Sequence, residues 1–165
     1  MTLELSLTLP PALRWDRGVG EEAQRVREYA LDAADYASSI TLAASNSAPL
    51  DSLFEAFTSA LHPDWDGLGA APADPRALAN AIQFLLSLPT TFPAPDVGVD
   101  PDGDMEFEWD CGPERVFTLT ISPDGVINYA GMVGSSIFHG SELLYEGLPS
   151  ALSAALARVV PASVP

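Results

Sequence analysis

Residues 101–133 read PDGDMEFEWDCGPERVFTLTISPDGVINYAGMV, and the alternation inside this stretch decides the fold. Met105, Phe107 and Trp109 alternate with Glu106, Glu108 and Asp110, the period of a strand with one face buried and the other in water. Phe117, Leu119 and Ile121 repeat the pattern and can join the apolar side. Pro-Asp-Gly occurs at Pro101–Gly103 and again at Pro123–Gly125. In such turns Pro presets the bend and Gly takes the left-handed position. Cys111-Gly112-Pro113 makes a third short connection. Four strands follow, at about residues 95–100, 104–110, 115–122 and 126–133. Turns this short join antiparallel neighbours, so the expected sheet is a four-stranded meander.

Helical spacing appears on both sides of the sheet. Asp74 is a side-chain N-cap and Pro75 occupies the first helical position, followed by Leu78, Ala81, Ile82, Leu85 and Leu86 on one face. Upstream, Asp51 is placed to cap a helix running to about Leu61, with Leu53, Phe54, Phe57, Ala60 and Leu61 as its stripe. His62-Pro63 ends that helix, because Pro disfavours helical geometry in the residue before it. Leu148-Pro149 opens a last helix with Leu152, Ala155, Leu156 and Val159 along one side. Residues 21–44 place Val26, Tyr29, Ala30, Ala33, Ala37, Ile40 and Ala44 at helical spacing. Leu3, Leu5, Leu7 and Leu9 alternate as a strand that Pro10 and Pro11 end. The expected fold class is α+β: helices packed on one face of a four-stranded antiparallel meander, preceded by a helical N-terminal region. Residues 51–165 hold the helices and sheet. Residues 1–165 are expected to form a single α+β domain, with 1–50, the N-terminal strand and long helix, as a candidate separate subregion within it.

A chain of 165 residues that is 47% hydrophobic can fill one core. Its formal net charge is −16, and all seven basic residues are Arg. Direct nucleic-acid binding is excluded, because phosphate contacts need clustered cations. A polyanion is instead steered toward basic partners. Cys111 is the single cysteine, so there is no internal disulfide, and no Cys/His spacing fits a zinc site. No apolar run approaches the roughly 18 residues of a membrane span. The N-terminus MTLELSLTLPPALRW lacks a basic region ahead of an apolar core. These features predict a soluble cytoplasmic protein without a cofactor.

Several groupings imitate chemistry. Asp100, Asp102 and Asp104 stand where a calcium loop has its first, third and fifth ligands, but Met105 replaces the required Gly and Cys111 the bidentate Glu. His62, Asp64 and Asp66 offer three ligand types on one Pro-interrupted loop, with no second histidine nearby. The better reading of WDGLG is a tight turn: Asp64 and Asp66 bond backbone amides, Gly67 and Gly69 take conformations closed to other residues, and Trp65 pins the loop to the core. Ser135, Ser136, Ser141 and His139 lie close in sequence without a nucleophile elbow. Cys111 beside carboxylates is a poor nucleophile.

WDGLGAAPADPRALANAIQFLLSLP, then PDGDMEFEW, GVINYAGMVG and a closing Leu-Pro helix together resemble a group of small uncharacterised bacterial proteins. In that group a W-D-G-Y-G-A stretch precedes a helix and an antiparallel sheet. The resemblance covers about residues 62–160, and Leu68 stands where the group has Tyr. It implies an accessory gene of a mobile or defence-related region, with no established activity and no functional residue to carry over.

Asp96, Asp100, Asp102, Asp104, Glu106, Glu108 and Asp110 place seven acids in fifteen residues with no base among them. The expected function is therefore a non-catalytic inhibitor or regulator that binds a basic protein, such as an anti-CRISPR protein acting on a nucleic-acid-binding machine. The partner-binding residues are Asp100, Asp102, Asp104, Glu106, Glu108 and Asp110. The alternative is a small-ligand binder or enzyme using the WDG loop with His139, which convergence of His62 and His139 in a cleft would favour. Because neither ligand cluster is complete, adding calcium or a chelator should leave the melting temperature unchanged in a thermal scan. A rise of several degrees with calcium would contradict this reading.

Overall fold

A computed structural model describes residues 47–145 and 147–161. The strand and long helix expected at Leu3–Leu9 and Glu21–Ala44 lie outside the described residues. Within them the order is α1 (Ser47–Ser59), α2 (Pro75–Ser87), β1 (Asp96–Val99), β2 (Met105–Asp110), β3 (Arg115–Ile121), β4 (Val126–Val133), β5 (Ser136–Leu143) and α3 (Ser150–Val159). The arrangement is α+β, and the sheet order β1-β2-β3-β4-β5 is antiparallel throughout. No helix among the described residues is long and apolar enough to cross a membrane.

Among the described residues the sheet has five strands rather than four. Val133 pairs with Ser136, so Gly134-Ser135 is a two-residue hairpin loop with Gly134 at φ 58°, the Gly-first arrangement of a type II′ turn. β5 escapes sequence patterning because a glycine stands where alternation calls for an apolar side chain. Tyr129 of β4 faces Gly140 of β5, and Gly131 of β4 faces Phe138 of β5. A Cβ at Gly140 would collide with the Tyr129 ring, and one at Gly131 with the Phe138 ring. Each aromatic thus lies over the bare backbone of the opposite strand. Phe117 stacks on Tyr129 at 5.8 Å and meets Phe138 at 6.4 Å, while the Arg158 guanidinium of α3 sits 4.1 Å from the Phe138 ring centre.

The apolar alternation builds cross-strand rows. Met105, Ile121 and Ile127 form one, and Phe107, Leu119 and Tyr129 the next. Residues of all three helices join these rows in one core; Phe84 of α2 packs on Phe107 at 5.1 Å. The start of α2 is as expected: Asp74 accepts the Arg76 amide at 2.8 Å with Pro75 first in the helix. Asn80 of α2 donates to the carbonyls of Ser122 and Pro123, tying the helix to the β3–β4 turn. α1 begins at Ser47, so Asp51 lies within the helix and is not its cap. Pro49 is tolerated in the first turn because its missing N–H would have no intrahelical partner there. α3 buries Leu152, Ala155, Leu156 and Val159, the expected stripe.

Gly131→Ala should lower stability in urea unfolding by about 1–3 kcal/mol, the usual cost of overpacking a core. Adding Phe138→Ala should cost less in this background than in the wild type, since both changes disturb one contact. Strictly additive effects would show that the ring does not rest on that glycine.

Candidate functional site

The helices all contribute to the core on one side of the sheet. On the other side lie the alternate residues of each strand. One row runs Asp96, Glu108, Thr118, Ala130, His139; a second runs Gly98, Glu106, Thr120, Asn128, Ser141; a third runs Asp110, Val116, Met132, Ile137. This open face is acidic toward β1 and β2 and neutral toward β4 and β5.

The structure divides the six expected binding residues into two groups. Glu106, Glu108 and Asp110 lie on the open face, alternating with buried Met105, Phe107 and Trp109. Asp96, which precedes the expected set, joins them directly opposite Glu108. Like charges placed opposite one another on a sheet are destabilising, and none of these four carboxylates has an ion pair among the described residues. Thr118 donates its hydroxyl to Glu108 at 3.4 Å, and Asp110 accepts the Gly112 amide at 2.9 Å. The pKa of Glu106 is raised, chiefly by burial and further by the charges of Asp100 and Glu108.

Asp100, Asp102 and Asp104 occupy the β1–β2 turn. Asp100 has a structural role there: one carboxylate oxygen accepts the amides of Asp102 at 2.9 Å and Asp104 at 3.0 Å. Gly103 has φ 88°, and a side chain there would strike the Pro72 carbonyl. Burial raises the pKa of Asp104, and the nearby carboxylates Asp100, Asp102, Asp74 and Asp124 add to the rise. Arg76 ion-pairs with Asp74 at 3.2 Å and approaches Asp124 at 4.0 Å. The turn acids therefore stand at one end of the sheet and the strand acids on its face.

The WDG loop is built as the tight turn that its residues imply. Asp64, at φ 61°, accepts the Gly69 amide at 2.7 Å; Asp66 accepts those of Leu68 at 2.8 Å and Ala70 at 3.1 Å. The Leu68 amide is the largest influence on Asp66, whose pKa is lowered. Trp65 packs against the core and donates its indole N–H to Ala71 at 3.0 Å, while Leu68 projects at the tip with 90% exposure. The loop rests on the β1–β2 turn through Ala71 to Pro101 and Asp74 to Gly103.

His62 adjoins this loop, at the β1 end of the sheet. His139 is on the open face of β5, at the opposite side of the described sheet from β1. Ser141 shares the open face with His139, whereas Ser136 points to the other side and Ser135 lies in the hairpin turn. Cys111 is half-buried at the end of β2. Among the described residues no three His, Cys, Asp or Glu side chains are grouped to hold a metal ion.

Comparison with protein-family models, curated proteins and solved structures found no match to this chain.

The raised pKa of Glu106 has a direct stability consequence. Its charged form is disfavoured by folding, so the cost is present above the folded pKa and vanishes below the unfolded one. Glu106→Gln should therefore raise the melting temperature at neutral pH and have little effect once the pH falls below the ordinary carboxylate range. A variant less stable than wild type at neutral pH would show that the carboxylate makes a favourable contact.

Proposed function

We propose that this chain is a non-catalytic, acidic inhibitor or regulator that binds the basic surface of a partner protein in the cytoplasm. A nucleic-acid-binding protein fits that partner class, and an anti-CRISPR protein encoded by a mobile element is one form the activity would take. The likeness of residues 62–160 to small bacterial W-D-G-Y-G-A proteins belongs to the same proposal. The observation that supports it most is the cluster of Asp96, Glu106, Glu108 and Asp110 on the sheet face opposite the described helices, with no ion pair among the described residues. Residues two apart on a strand stand about 6.8 Å apart, near twice the roughly 3.4 Å axial rise per nucleotide of one strand. A surface built for phosphates would meet a regular row of anions. Asp102 and Asp104 extend the negative field past the end of the sheet, and Asp100 shapes the turn that carries them.

The test begins with partners captured from cells carrying the gene, followed by association kinetics against salt. Glu106→Gln, Glu108→Gln and Asp110→Asn combined should leave stability unchanged or higher, because the exposed Glu108 and Asp110 contribute little to folding, the half-buried Glu106 is relieved of its desolvation cost, and repulsion is relieved. Association should slow by about tenfold or more at low salt and lose much of its salt dependence. The control triple is Asp51→Asn, Glu55→Gln and Glu114→Gln, three exposed acids outside the strands that build the face. Equal slowing by both triples would reduce the effect to net charge, and no slowing by either would refute the proposal.

A further inference from the structure

Among the described residues β1 and β5 are the two edges of the sheet, and they are guarded unequally. β1 is four residues long, follows Pro93 and Pro95, and opens with Asp96. β5 is eight residues long, contains neither Pro nor Lys, and pairs one-to-one with β4 without a bulge. Short length, Pro, Lys and bulges are the devices that keep an edge strand from pairing with another chain. The Leu144 amide donates to the Gly125 carbonyl at 2.8 Å, continuing the β4–β5 register. Hydrogen-bonded positions alternate in antiparallel pairs, so Ser136, Phe138, Gly140 and Glu142 bond toward β4. Ile137, His139, Ser141 and Leu143 turn their backbone groups outward. Ile137 is 76% exposed and Leu143 46% exposed, both on the open face.

We propose that β5 pairs antiparallel with β5 of a second copy, about a two-fold axis through Gly140, to make a continuous ten-stranded sheet. Keeping both open faces on one side requires paired residue numbers of like parity, so the axis passes through a residue. At Gly140 every outward-turned residue finds a partner: Ile137 meets the partner's Leu143, and His139 meets the partner's Ser141. Exposed apolar side chains then cover each other at both ends of the interface. An axis through His139 would leave Leu143 unpaired. On the core side the same register sets Phe138 opposite the partner's Glu142, beside the Arg158 guanidinium that overlies the Phe138 ring. This brings unlike charges together across the interface. The high net charge does not oppose the contact locally: β2 is three strand spacings from β5, about 14 Å, beyond the Debye length of about 8 Å at physiological salt. The β2 strands of the two copies would stand seven spacings apart, roughly 33 Å.

Sedimentation of the full chain from micromolar to sub-millimolar concentrations tests the pairing, and a concentration-dependent dimer is expected. Ile137→Lys should weaken it about tenfold or more while leaving the melting curve in place at concentrations where both proteins are monomeric. Register is tested with Cys111→Ser protein carrying either His139→Cys or Ser141→Cys: under oxidation the two should cross-link when mixed, and neither with itself. Self-cross-linking of His139→Cys would overturn the Gly140 axis. A monomer at all concentrations would overturn the dimer. So would a monomer whose Ile137, His139, Ser141 and Leu143 amides exchange slowly with deuterium, since another part of the chain would then hold the edge. The Glu106, Glu108 and Asp110 triple should still dimerise, so this inference and the acidic-face proposal fail independently.

Discussion

A slip of β2 by one residue against β3 would carry Glu106, Glu108 and Asp110 into the core and Met105, Phe107 and Trp109 into water. Burying even one unpaired carboxylate is far more costly than the net stability of a small domain can absorb. The register of β2 is therefore the constraint on which the rest depends. It fixes where Phe117, Leu119 and Ile121 stand, and through them the positions of Ile127 and Tyr129. It also makes the acidic face inseparable from the core, because the same alternation creates both.

The acids serve two physical roles. Asp64, Asp66, Asp74 and Asp100 accept backbone amides and set the geometry of loops and of the α2 start. Carboxylates are suited to this because they have several acceptor sites and no donor to satisfy. Asp96, Glu106 and Glu108 bond no backbone amide among the described residues, and Asp96 and Glu108 are held face to face. A raw count of negative charge merges the two roles; the contacts of each carboxylate separate them.

Much of the fold was legible because its signals are local. The Asp74-Pro75 start of α2 and the Met-x-Phe-x-Trp alternation need only a few consecutive residues to be understood. α1 was displaced because Asp51 looks like a cap, while a Pro two residues before it hides the true start. β5 was lost for a different reason. Its evidence lies in a relation between strands, where Tyr-x-Gly at 129–131 answers Phe-x-Gly at 138–140 across a two-residue turn. Each half looks like a weak strand or a loop; together they describe a hairpin with rings laid on backbone. The candidate site was legible in the same measure. Alternation placed Glu106, Glu108 and Asp110 on one face, but proximity in sequence joined them to Asp100, Asp102 and Asp104, which a turn carries elsewhere.

Among the described residues every strand pairs only with its neighbour in the chain, through connections of a few residues. Closing short loops loses little chain entropy, and hairpins form in microseconds. A meander can therefore assemble progressively, each new strand finding a template already beside it. The longer closures are those that bring α1 onto β1 and α3 back onto β3 and β4. Within the sheet, paired residues are therefore close in sequence, and loop closure opposes each pairing only weakly. Contacts of the two end helices with the sheet are the ones that seal its apolar side.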